Sequence, residues 1–156
     1  MDWLITKKRE LATGALDELG VIVSAARQPS EDEWAEHLEQ VVRLSHARLV
    51  RALVIVAPMG GPSGSQRAVA RRRVSEMRIA ELRRLLLLSE SAIARLAANA
   101  IGTFTFFSKR NLAVRALPDR KRDEGLQGLA EAARFDAAAL ERAIKELKRD
   151  FMPDAF

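Results

Sequence analysis

Cysteine is absent from the 156 residues, and that absence removes disulfides, thiolate nucleophiles and cysteine-ligated zinc together. Tyrosine is absent as well, and aromatic residues make up only 5% of the chain. Histidine occurs twice, at His37 and His46. Their nine-residue separation is out of phase for a shared metal site on one helix, which favours a spacing of three or four. Both are read as surface or boundary residues, and no metal is expected. No apolar run approaches the roughly 20 residues that span a bilayer. The first ten residues carry charge and lack a hydrophobic segment behind them, so they are not read as a secretory signal. A cytoplasmic location is the default reading.

What is present describes a soluble, folded chain. Charged residues are 30% and apolar residues 48%, a globular and not a disordered composition. The length suits one domain over residues 1–156, with enough chain to bury a core. No internal repeat or linker divides it. The net charge is +5, with a pI near 10.2. Much of the surplus lies in Arg67, Arg71, Arg72, Arg73 and Arg78, with further clusters at Arg83-Arg84, Lys109-Arg110 and Arg120-Lys121-Arg122. A phosphate-binding surface needs such charges on one face, with aromatics or a groove-reading helix beside them. The phenylalanines here sit apart from the arginines.

The organising stretch runs from Arg48 to Arg73. Ala52 to Ala57 is a short aliphatic run suited to a buried central strand. Pro58 to Gly64 holds two prolines and three glycines, which mark a turn. From Ser65 to about Arg78 the pattern is helical, with Ala70, Val74 and Met77 on one face. Strand, glycine-rich turn and helix N-terminus together form the place where α/β proteins usually meet their ligands.

The rest of the chain supplies the scaffold. Arg9 to Leu16 and Leu19 to Ala26 are a candidate hairpin. Ser30 and Glu33 form a capping box, opening a helix whose face carries Trp34, Leu38, Val41, Val42 and Ser45. Leu82 to Leu88 is a second buried-strand candidate, and Ser91 caps a helix bearing Ile93, Leu96, Ala97 and Ile101, small-residue-rich and expected to pack closely on the sheet. Asn111 to Leu117 is a last strand, and Pro118-Asp119 starts a helix with Leu126, Leu129 and Ala133, weakened by Gly125 and Gly128. Asp136 caps a final helix with Leu140, Ile144, Leu147 and Phe151 in phase. The order ββαβαβαβαα predicts an α/β fold with a mixed, mostly parallel sheet of about five strands.

These segments, in this order, resemble the STAS domain (sulphate transporter and anti-sigma factor antagonist) and the bacterial STAS-like proteins around it. The resemblance covers roughly residues 9–134; the helix over 136–152 is an addition, a cover or contact surface. It implies a regulatory protein–protein interaction module, a signalling adaptor, with no enzymatic activity and no cofactor. Family members carry an aspartate and a switch serine or threonine between the third strand and the next helix. Here Ser63 and Ser65 are the candidate switch positions, and Ala57, Pro58 and Met59 stand where the acidic residue belongs. The resemblance places partner contacts at Met59, Gly60, Gly61, Arg67 and Arg71, the partner being another protein or a second copy.

The same residues admit other chemistry. Gly60 to Ser65 has the makings of an anion nest, but no lysine follows Gly64 as a P-loop requires. A tight turn with Ser63 or Ser65 as N-cap is the plainer reading. The alternative function is nucleic-acid binding through Arg67, Arg71, Arg72 and Arg78 on the helix over 66–78. Phe104, Phe106 and Phe107 are either core or an exposed apolar patch. No catalytic constellation emerges.

Overall fold

A computed structural model describes residues 11–16, 18–24, 28–57, 63–96 and 112–151. Five strands form a single sheet in chain order: β1 (Leu11–Leu16), β2 (Leu19–Ser24), β3 (Ala52–Val56), β4 (Arg84–Leu88) and β5 (Ala113–Leu117). β1 and β2 are an antiparallel hairpin, with Leu16 opposite Leu19. β2 to β5 are all parallel. The helices are α1 (Glu31–Ala47), α2 (Gly64–Arg73), α3 (helical at 92–96), α4 (Arg122–Ala133) and α5 (Ala137–Phe151). The mixed, mostly parallel α/β sheet anticipated from the sequence is the one observed.

Side-chain alternation divides the strands between two layers. Leu19, Val21, Val23, Ala52, Val54, Val56, Leu86 and Leu88 point to one face, where Leu126, Leu129 and Ala130 of α4 and Leu140, Ile144 and Leu147 of α5 close over them. α5 lies across β1 and β2 while α4 lies over β4. The final helix is therefore part of the main core. Each valine, leucine or isoleucine buried this fully contributes roughly 1.5–3 kcal/mol. On the opposite face α1 packs on β1 and α2 packs on α1, where Trp34 and Leu38 form a small cluster with Val69, Ala70 and Met77.

Several local expectations are corrected. α2 ends at Arg73, and residues 74–76 tighten into a 3-10 turn. Contacts with α1 draw the following chain out of the helix: Arg78 N donates to Ser45 Oγ at 3.0 Å, and the His46 ring bonds Glu76 O at 2.7 Å. Val74 stands exposed at that turn. His37 is buried, only 4% exposed, and is not a boundary residue; His46 is exposed as read. Ile93 and Leu96 are not packed on the sheet, being 78% and 69% exposed; Ala94 and Arg95 are the half-buried residues of that turn. Ala97 and Ile101 lie outside the described residues, as do Phe104, Phe106 and Phe107. Gly125 is a close-packing position: a Cβ there would meet Leu117 and Leu86 at 3.1–3.3 Å.

Candidate functional site

β3 ends at Val56, and Ala57 remains on the sheet through its N–H, which donates to Leu88 O at 2.9 Å. The chain is described again at Ser63, the N-cap of α2. Ser63 Oγ accepts from Gln66 N at 3.1 Å, and Gln66 Oε1 accepts from Ser63 N at 2.8 Å. This reciprocal capping box matches the one at α1, where Ser30 and Glu33 exchange the same two bonds. Met59, Gly60 and Gly61 lie outside the described residues.

Gln66 joins the two helix starts. Its side chain is fully buried, and Nε2 donates to Pro29 O at 2.8 Å and to Glu31 Oε1 at 3.1 Å. Its backbone carbonyl accepts from Trp34 Nε1 at 2.8 Å. The pattern Ser63-x-x-Gln66 is a capping-box signature, so the residue was findable by the rule that located Ser30 and Glu33. Because Ser63 N and Gln66 N are already bonded within the cap, two of the N–H groups an anion nest would use are taken.

The far end of α2 is pinned by charge. Arg73 Nη2 bonds Glu39 Oε2 of α1 at 2.9 Å, and Arg73 Nε lies 2.7 Å from Glu76 Oε2. The Arg73 hydrogen bond is the main cause that holds the Glu39 carboxyl below its ordinary range, with the neighbouring Arg43 adding to it. Between the pins, Ser65, Arg67, Arg71 and Arg72 are exposed. Ser65 Oγ is 3.0 Å from Ser63 Oγ, so the structure brings the two candidate serines together but gives them different environments: Ser63 is half-buried in the cap, Ser65 open. Arg67 and Arg71 are one turn apart on α2. Arg78 is exposed beyond the helix end. Among the described residues, Arg71, Arg72 and Arg78 have no acidic partner.

Beneath α1, His37 faces Thr13 of β1, with Nδ1 at 3.4 Å from the hydroxyl, and its ring stacks at a tilt on Trp34. Burial lowers its pKa from 6.5 to about 4, which keeps the imidazole neutral near pH 7. It is a structural residue of this layer. Among the described residues no three His, Asp or Glu side chains gather into a metal-binding group, and no helix is long and apolar enough to cross a membrane.

An open sheet of four parallel strands, led by a hairpin and covered on both faces, defines a small α/β domain whose β3–α2 junction is its candidate recognition point. That architecture is the STAS-like one. It superposes on the crystal structure of an uncharacterized protein from the DUF3478 family, with a SpoIIAA-like fold, from Shewanella loihica PV-4. The TM-score is 0.56 at 11% identity, covering 80% of this chain and 97% of that one. No family model matches the sequence, and no curated protein matches it. The likeness is one of fold.

Proposed function

We propose that the protein is a non-enzymatic regulatory module that binds another protein through the β3–α2 junction. The observation that carries this reading is the contrast along α2: its inward side is fixed by Gln66 and Arg73, while Ser65, Arg67, Arg71 and Arg72 are presented outward. A rigid element with an exposed polar and cationic face binds without first losing conformational freedom. Ser65 is the position where phosphorylation would act, adding roughly −1.5 to −2 charges in the first turn of α2. Ser63 is less suited, since its hydroxyl is engaged as the cap.

The test is affinity capture from nuclease-treated lysate of the source organism, comparing wild type with Ser65→Glu and Arg71→Glu. Ser65→Glu leaves the cap intact, whereas Ser63→Glu removes it and confounds folding with recognition. One protein retained by wild type and lost with Arg71→Glu supports the junction as the binding face. Its loss with Ser65→Glu supports a switch there. Equal retention by all three forms removes the junction from the reading.

Nucleic-acid binding is the second reading, favoured by Arg71, Arg72 and Arg78 standing exposed without acidic partners among the described residues. It predicts affinity for duplex or single-stranded DNA that falls steeply with salt and weakens in Arg71→Glu. Binding that is flat with salt removes it.

A further inference from the structure

We propose that the cleft between β4, β5 and α4 binds a small organic carboxylate with an apolar body, independently of the β3–α2 junction. A cavity of about 320 Å³ opens there, at the small end of the ~300–1,000 Å³ that ligand pockets occupy. Its walls include Leu86, Leu129 and Ala132, and it is also lined by Arg84 and Arg115. Alternation along β4 puts Arg84 on the same face as Leu86, and the register sets Leu86 beside Arg115 of β5. Two guanidinium-bearing residues therefore share one face of neighbouring strands, at an apolar cleft.

The two glycines of α4 meet the cleft differently. At Gly125 a Cβ would press on Leu117 and Leu86 at 3.1–3.3 Å, so this glycine serves the close packing of helix on sheet. Gly128 has no such duty. A Cβ there would meet only Arg115 Nη1, at 2.9 Å. A mid-helix glycine weakens the helix, and the space this one leaves receives a guanidinium. Arg115 is held on its other side by Glu124 Oε1, at 2.6 Å from Nη2, which orients it without closing the cleft. Arg84 is exposed and has no acidic partner among the described residues. The cleft thus holds one cation with a partner and one without. A carboxylate answers Arg84, and an apolar body of a few carbons answers the exposed Ala113 and Ala132, over a floor of buried Leu86 and Leu129. A bare inorganic anion would leave the alanines uncovered.

The experiment titrates hexanoate and benzoate into the whole chain by heteronuclear NMR, with hexanol and inorganic phosphate as controls. Saturable shifts are expected at residues of β4, β5 and α4 for a carboxylate, weaker or absent for hexanol and for phosphate. Arg84→Gln is expected to lower the affinity about tenfold or more, as loss of a charged hydrogen bond does. Gly128→Leu, which fills the cleft, is expected to abolish binding; if it does not fold, Arg84→Gln and Arg115→Gln decide. No saturable binding of either carboxylate overturns the proposal. So does hexanol or phosphate binding as tightly as the carboxylates, or an affinity unchanged by Arg84→Gln.

Discussion

The two faces of the sheet are closed by different means. Under α4 and α5 the closure is aliphatic: three residues of each helix meet eight inward strand residues. Under α1 and α2 the buried cluster is Trp34 and Leu38 with three half-buried neighbours, and much of the fixing is polar. Gln66 ties the two helix starts, Arg73 ties α2 to Glu39, Ser45 holds the chain at Arg78, and His37 meets Thr13. Apolar burial is large and non-directional, so the first face supplies stability. Hydrogen bonds contribute little net energy but demand geometry, so the second face supplies position. The exposed side of α2 belongs to the face that is positioned.

The sharpest way to break this comparison is to cut one aliphatic anchor from each side. Ile144 is fully buried in α5, and Leu38 is 4% exposed in α1. Ile144→Ala is expected to cost about 4 kcal/mol, and Leu38→Ala about 2–3 kcal/mol, within the range for large-to-small core changes. Urea denaturation of both variants checks the order. If Leu38→Ala costs as much as Ile144→Ala, the two faces share the burden and the contrast fails.

The second test moves to the polar pins. Gln66→Leu keeps a side chain of similar size but makes it apolar, leaving Ser63 N and Pro29 O without their buried partner. A loss of about 3 kcal/mol is expected, since each orphaned buried group costs roughly 1–3 kcal/mol. Amide exchange should rise at the starts of α1 and α2 and stay unchanged in α4 and α5. Uniform destabilisation would show that Gln66 has no local positioning role.

A third test uses pH. The His37 pKa is about 4 in the folded chain against 6.5 for the free side chain. The unfolded state therefore takes up the proton first. The stability this represents is fully present above about pH 6.5, is lost as pH falls toward 4, and changes no further below that. The full effect is on the order of 3 kcal/mol. Carboxylates also titrate at the acid end of this window, so the measurement is the difference between wild type and His37→Gln. Wild type should lose stability between pH 6.5 and 4 more steeply than the variant. Parallel curves would mean that His37 gains a proton without leaving its place.

The order of elements was legible because it rests on local rules. The Ser30–Glu33 box, the aliphatic run at Ala52 to Val56 and the turn residues after it each act within a few positions. The same logic reaches Ser63 as a cap and extends to Gln66 as its box partner, but not to the bonds of Gln66 with Pro29 and Glu31, over thirty residues earlier. His37 was misplaced for a related reason. It sits in the helical stripe with Trp34 and Leu38, but a polar residue in a stripe reveals its burial only when Thr13 is brought opposite. The helix pattern overruns the end of α2 because Val74 and Met77 keep the apolar spacing beyond Arg73, while the bonds that stop the helix come from Ser45 and His46 of α1. Arg122 belongs to a basic run in the sequence, but it is 16% exposed and bonded to Asp119 and Glu141. Charge alone does not reveal which cations are pinned.

The smallest expected effect lies on the aliphatic face, in the connection from α4 to α5. Arg134 ends α4 in the left-handed region, at φ 61 and ψ 41, and among the described residues it alone does so without being glycine. Its N–H and that of Phe135 both return to Ala130 O, so the conformation is fixed by the helix end and not by the side chain, which is exposed. A Cβ in that region costs of order 1 kcal/mol, and glycine is the usual occupant of this position. Glycine also raises the entropy of the unfolded chain, which offsets part of the gain. Arg134→Gly is therefore expected to stabilise by about 0.5 kcal/mol, and Arg134→Val to destabilise, because a β-branched residue tolerates positive φ least. Thermal unfolding of the pair measures the sign. If glycine lowers the midpoint, the arginine side chain has a packing role on α4 that outweighs the backbone, and the aliphatic face depends on more than its buried core.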